Sequence, residues 1–192
     1  MKMAFAISAA LCIGSASMVQ AQDYNLDVFF GLSAENKLGW GGFQYDTDSG
    51  RVLGLGVSRN DVFVPGLEIG LEYNTNEQEF VCCGTNSMGA DTILITARYN
   101  LFQYGGFEGY AGLGLGAANV AYKFARTYEN SETVAAGQIM LGGRYDVTPA
   151  SQIFAEYRYL SVEDAGVAGG LGGGFDAEFN SSNIVLGYRY SF

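Results

Sequence analysis

Ile184-Val185-Leu186-Gly187-Tyr188-Arg189-Tyr190-Ser191-Phe192 is the stretch on which the fold turns. Ile184, Leu186, Tyr188, Tyr190 and Phe192 fall on one side of an extended chain. Asn183, Gly187, Arg189 and Ser191 fall on the other. A period of two is that of a strand, in which successive side chains point to opposite faces. One such run decides little, but the same alternation recurs back through the chain. It runs through Ile153-Ala155-Tyr157-Tyr159, Ile139-Leu141-Tyr145, Ala111-Leu113-Leu115 and Ile93-Ile95-Ala97-Tyr99. It continues through Leu67-Ile69-Leu71-Tyr73, Leu53-Leu55-Val57 and Leu26-Val28-Phe30-Leu32. These eight segments predict an all-β protein.

The connections alternate in length. Asn60–Pro65, Asn100–Gly106 and Val147–Ala150 are short, whereas Glu35–Gly50, Thr75–Ala90, Ala118–Thr133 and Ser161–Asn180 are long. A soluble sandwich has no reason to gather every long loop at one end. A barrel in an outer membrane does, with short turns toward the periplasm and long loops outside. The faces agree with this. The apolar face carries almost no charge, while the opposite face collects Glu68, Glu72, Arg98, Arg144, Glu156, Arg158 and Arg189 among many glycines. A charge facing lipid near the bilayer midplane costs about 2–4 kcal/mol, so these seven residues are expected inside, as a lumen network of opposed charges. Tyrosines near the strand ends suit interfacial girdles. In lipid a sheet can leave no free edge, so the strands must close. The expected architecture is an eight-stranded antiparallel transmembrane up-and-down β-barrel.

Composition narrows the function. The 192 residues contain no histidine, which excludes Ser–His–Asp and Cys–His catalysis, HExxH hydrolysis and histidine-ligated metals. Ten Lys and Arg against 20 Asp and Glu argue against a nucleic-acid partner, whose phosphates require basic patches. Residues 1–21 are read as a cleaved signal peptide: Lys2, an apolar stretch from Ala4 to Ile13, and the small-residue site Val19-Gln20-Ala21. Leu11 beside Cys12 is too bulky for a lipoprotein signal. Residues 22–192 then form the barrel domain, and loss of Lys2 takes the net charge from −10 to −11. Of the three cysteines, Cys82 and Cys83 would remain, adjacent in the second long loop, where export permits a disulfide. A vicinal disulfide, a redox switch, an intermolecular link and two unremarkable loop thiols all stay open.

Other motifs weigh less. Gly112-Leu113-Gly114-Leu115-Gly116 lacks the strand-then-helix setting of a phosphate loop and reads as a strand facing a tight lumen. Asp46, Asp48 and Gly50 have the spacing of part of a calcium loop without its terminal ligands, and read as a turn. Gly169 to Gly174 is a flexible loop segment. Glu68 and Glu72 share a face as a catalytic pair would, but Arg98 lies opposite them, which favours a structural ion network. No cofactor is expected.

The stretches Asp46-Thr47-Asp48-Ser49-Gly50 with the glycine-alternating strand to Val57, Gly66-Leu67-Glu68-Ile69-Gly70-Leu71-Glu72-Tyr73, Gln138 to Tyr145, Phe154-Ala155-Glu156-Tyr157-Arg158-Tyr159 and Leu186 to Phe192 carry a family likeness. The chain resembles the outer-membrane β-barrel domain family of small OmpA/OmpX-like and opacity-protein-like surface antigens. The resemblance implies location in the outer membrane of a Gram-negative bacterium, contact with outer-membrane lipid, and no single activity. Tyr188, Tyr190 and a final Phe192 resemble the signal read by the barrel-assembly machinery. The expectation is a surface protein, adhesin-like or supporting the envelope, whose four long loops meet an extracellular or host ligand. The alternatives are a small pore or a channel for hydrophobic compounds, and more remotely a lipid-modifying or proteolytic barrel enzyme.

Overall fold

The computed structural model describes residues 23–33, 37–40, 43–46, 50–79, 87–124, 128–168 and 174–192. The expected leader 1–21, Asp48, Cys82, Cys83 and Gly169–Gly173 lie outside these residues. The described strands are β1 (Tyr24–Ser33), β2 (Lys37–Trp40), β3 (Phe43–Asp46), β4 (Gly50–Arg59) and β5 (Leu67–Glu79), followed by β6 (Ser87–Tyr104), β7 (Phe107–Phe124), β8 (Tyr128–Thr148), β9 (Ser151–Ala168) and β10 (Gly174–Ser191). Eight of them pair antiparallel in the order β1-β4-β5-β6-β7-β8-β9-β10, and β10 returns to β1 to close the barrel.

The register is the one that keeps the outward apolar residues in one band, because a slip of one residue would turn each strand inside out. Leu26 opposes Val57, Val57 opposes Leu71, Leu71 opposes Ile95 and Ile95 opposes Leu115. Continued round the barrel through Gly137 and Ser161, this path reaches Asn180, whereas Leu26 itself pairs with Tyr190. The strands are thus staggered by ten residues in one circuit, a shear that corresponds to a strand tilt of roughly 40° and an interior just wide enough for side chains.

The outward band is fully exposed on the isolated chain. Phe30, Leu32, Ile93, Ile95, Leu113, Leu115, Ile139 and Ile184 each keep more than half their surface open. Below it lie Tyr24, Tyr99, Tyr145, Tyr188, Tyr190 and Phe192, toward the end with the short turns; Tyr73, Tyr157 and Tyr159 lie toward the other. This is the surface that lipid, not water, would cover.

Three features depart from the expectation. The first long connection contains a hairpin of β2 and β3, and β2 adds to β10 through Ala177↔Trp40 and Glu178↔Gly39. Second, the strands run on through much of what reads as loop. β5 continues to Glu79, β7 to Phe124, β8 begins at Tyr128 and β9 continues to Ala168. Third, two turns are tighter than expected. β6 passes a register shift between Asn100 and Phe102 and continues to Tyr104, so the reversal is Gly105-Gly106, with Gly105 at φ +59°. The next reversal is Pro149-Ala150. Gly105 suits such a turn because it alone reaches positive φ without a Cβ penalty.

Candidate functional site

The interior is built by the faces opposite the lipid-facing band, and its charged layer begins with pairs on neighbouring strands. Asp27 opposes Arg189, Glu68 opposes Arg98, and Glu108 opposes Arg144. Tilt then brings these pairs together across the lumen. Glu68 on β5 receives three guanidiniums: Arg98 Nη1 at 3.1 Å, Arg144 Nη1 at 2.9 Å and Arg189 Nη1 at 2.6 Å. Glu72, two pleat repeats above, accepts from Arg98 Nη2 at 2.8 Å and Arg158 Nη1 at 2.7 Å, with Asn74 and Gln138 completing its shell. Arg189 grips Asp27 with Nε and Nη2, both at 2.7 Å. Glu156 pairs with Arg158 Nε, lies 3.5 Å from Arg98 Nε, and accepts the Tyr110 hydroxyl at 2.8 Å.

All seven residues singled out from the sequence therefore point inward and meet in one network. Two members were not singled out. Asp27 and Glu108 complete it, and Glu108 accepts from Arg144 Nε at 2.9 Å. Both sit on the inward parity of their strands, but their partners are set by closure of the barrel and by register. The described network holds five carboxylates against four guanidiniums, one negative charge in excess. Removing charges from water costs several kcal/mol each, so such a layer is tolerable only because nearly every lone pair and N–H finds a partner. Arg98 Nε, Glu156 Oε1 and two nitrogens of Arg158 are the members left without a hydrogen bond. Of these the Arg158 guanidinium is covered by a ring, 3.8 Å from the centroid of Phe29; the fully bonded Arg144 lies 4.7 Å from that of Tyr110.

Above the charges the lumen is not simply polar, as the sequence reading has it. Met88, Ala90, Leu94, Ala118, Val120, Ala136, Leu160, Val162 and Phe179 form a buried apolar cluster on β6 to β10. Ser33, Asn76, Gln78, Ser181 and Asn183 face it as a hydrogen-bonded set, with Asn76 Nδ2 donating to Ser181 Oγ at 2.7 Å and Gln78 Nε2 to Ser33 Oγ at 3.3 Å. A second cluster, Phe29, Val52, Phe154 and Val185, fills the wall beside Arg158. Phe29 is seated over Gly54 and Phe154 over Gly187; a Cβ on either glycine would come within 2.2 Å of the ring.

The layer is closed. Arg158 retains 1% of its surface, and Glu72 and Leu94 are equally buried. Below it, at the end with the short turns, a vestibule of about 620 Å³ opens, lined by Asn25, Asn60, Asn100, Glu108, Asp146 and Gln152 among others. Among the described residues no group of three or more Cys, Asp and Glu is arranged to hold a metal ion. Glu68 and Glu72 are each engaged by two or more arginines and are not free to act as a general acid and base. Tyr188, Tyr190 and Phe192 face outward at the turn end, where the Tyr190 and Phe192 rings stack at 6.3 Å and Tyr24 and Phe192 at 6.2 Å.

The model of the outer membrane protein beta-barrel domain matches residues 6–192. No curated protein sequence matches the chain. Among solved structures, Neisserial surface protein A is similar with a TM-score of 0.63 at 14% identity, over 90% of this chain and 98% of that one. OprG from Pseudomonas aeruginosa gives a TM-score of 0.53 at 13% identity, over 88% and 96%. Ail, the attachment invasion locus protein of Yersinia pestis, gives 0.50 at 13%, over 88% and 99%. At such identities the likeness is one of fold.

Proposed function

Because the chain belongs to the outer membrane protein beta-barrel domain family, we propose that it is a plugged scaffold in the outer membrane of a Gram-negative bacterium, whose work is done at its surface. The observation that carries this reading is the closed charged layer. Glu68, Glu72, Glu156, Arg98, Arg144, Arg158 and Arg189 occupy the bore at the level of the lipid-facing band. Filling an eight-stranded bore with paired charges leaves no room for a solute and makes the wall rigid. Interaction then falls to the connections and strand extensions opposite the short turns, with an extracellular or host-surface ligand as partner, or to envelope support. Neisserial surface protein A and the attachment invasion locus protein carry names consistent with such a role. With no histidine in the sequence and both central glutamates engaged, enzyme chemistry has no evident centre among the described residues.

Two measurements test the reading. In planar bilayers the purified barrel should show no steady conductance; large, stable channels would replace the scaffold with a pore. On intact cells, shortening the four connections to minimal turns should abolish capture of surface ligands while the barrel still inserts. Undiminished capture would move the activity elsewhere.

A further inference from the structure

The end of the barrel with the short turns carries an exposed feature that neither the plug nor the surface reading uses. The β4–β5 turn is Asn60-Asp61-Val62-Phe63-Val64-Pro65-Gly66. Two non-glycine residues in it adopt left-handed backbone, Asp61 at φ 53° and Phe63 at φ 66°. Bulky side chains rarely adopt that conformation, and they do so where the surroundings hold them. Here Asp61 Oδ1 accepts Gly66 N at 2.7 Å, Val62 N donates to Leu67 O at 2.9 Å and Val64 N donates to Val62 O at 2.9 Å. The result is that Phe63 stands 92% exposed with Val64 half-open beside it. A turn made only to reverse the chain would put a polar residue there.

Beside this turn, at the end of β4, is Arg59. Its guanidinium lies 5.6 Å from the centroid of Tyr24, whose ring stacks in turn on Phe192. Among the described residues it has no carboxylate within ion-pair distance, and the other arginines of this half of the barrel (Arg98, Arg144 and Arg189) are consumed in the lumen. One unpaired cation and an aromatic face thus adjoin the lower edge of the lipid-facing band, and the exposed apolar tip stands in the turn that follows Arg59.

We propose that Arg59, Tyr24, Phe63 and Val64 form a binding site for a phospholipid of the leaflet surrounding the short-turn end. Arg59 holds the headgroup phosphate and Phe63 and Val64 enter the region of the acyl-chain ends nearest the headgroup. Lipid is the occupant because Arg59 and Tyr24 pair directly below Leu26 and Val57 of the band that lipid covers, and because the one charge is complementary to phosphate. The inference rests on the barrel's being in a bilayer, not on the role of its connections.

The test uses the full-length barrel refolded into phosphatidylcholine vesicles, with heat-modifiable migration confirming insertion of every variant. Phe63→Trp, in a Trp40→Phe background, should emit at short wavelength and be quenched more by lipids brominated near the headgroup than by lipids brominated deep in the chain. Emission open to aqueous acrylamide and untouched by brominated lipid, in an inserted barrel, would overturn the proposal. In vesicles containing phosphatidylglycerol, Arg59→Gln should reduce the anionic lipid retained in native mass spectra by about fivefold, the worth of one basic residue at such a surface. Inorganic phosphate should not displace it. Unchanged retention by Arg59→Gln, or displacement by free phosphate, would remove Arg59 from a lipid site.

Discussion

Glu68 is the side chain on which the interior converges, since arginines from β6, β8 and β10 all reach its two oxygens. Arg98 is its counterpart, within 4 Å of Glu68, Glu72, Glu156 and Asp27. Removing one member of a buried pair leaves the other desolvated and unmatched, at a cost of about 3–5 kcal/mol. Arg98→Ala should therefore lower the unfolding free energy by that order, read as a shift in the urea midpoint of the barrel in detergent; a shift within error would mean that water already reaches the network. The glycines under the rings give a second test. Gly54→Val must displace Phe29, and Gly187→Val must displace Phe154. Overpacking of this kind costs about 1–3 kcal/mol. Both variants should melt earlier, whereas Gly137→Ala, whose added Cβ meets only Leu115 at 3.8 Å, should not.

At the scale of the strand, β6 to β9 change their pattern along their length. β7 shows it plainly: Leu113 and Leu115 face out in the band, but farther up Asn119 faces out while Ala118 and Val120 are buried. On these strands the lower half is patterned for lipid outside and polar groups within, the upper half for water outside and an apolar cluster within, whereas β5 keeps Asn74, Asn76 and Gln78 inward. That reversal explains what could be read from the sequence and what could not. Eight strands, their parity and the inward charges were legible because lipid imposes one rule on every outward position. The rule lapses where lipid ends, so Ala118–Thr133 and Ser161–Asn180 read as loops although much of each is strand. The β2–β3 hairpin is too short to show a period, and the roles of Asp27 and Glu108 depend on neighbours that only closure and register supply. The boundary can be located by charge. Ile95→Arg, in the band, should destabilise the barrel in vesicles by about 2–4 kcal/mol, and Asn119→Arg, above it, by no more than about 1 kcal/mol. Equal effects would place both in one environment.

For the whole molecule, closure, shear and plug work together. A stagger of ten residues over eight strands sets the bore, and the bore is filled at the level of the band. A single arginine removed from the plug should leave it shut, because the remaining guanidiniums stay tethered to Glu68 and Glu72. Arg98→Ala should thus lower stability without opening a steady conductance; a channel in that variant would show that one residue alone holds the bore closed. The strand extensions have a separate bearing. From Ser161 to Ala168, β9 climbs past the last outward tyrosine, Tyr159, for seven further steps, a rise of roughly 20 Å along the strand. Because this stretch is hydrogen-bonded along β10, with Val162 at its base packed in the upper apolar cluster, it works as a pedestal. A foreign epitope spliced between Ala168 and Gly174 would be lifted clear of the headgroups on a stiff mount, and its orientation, not only its presence, would be set by the barrel.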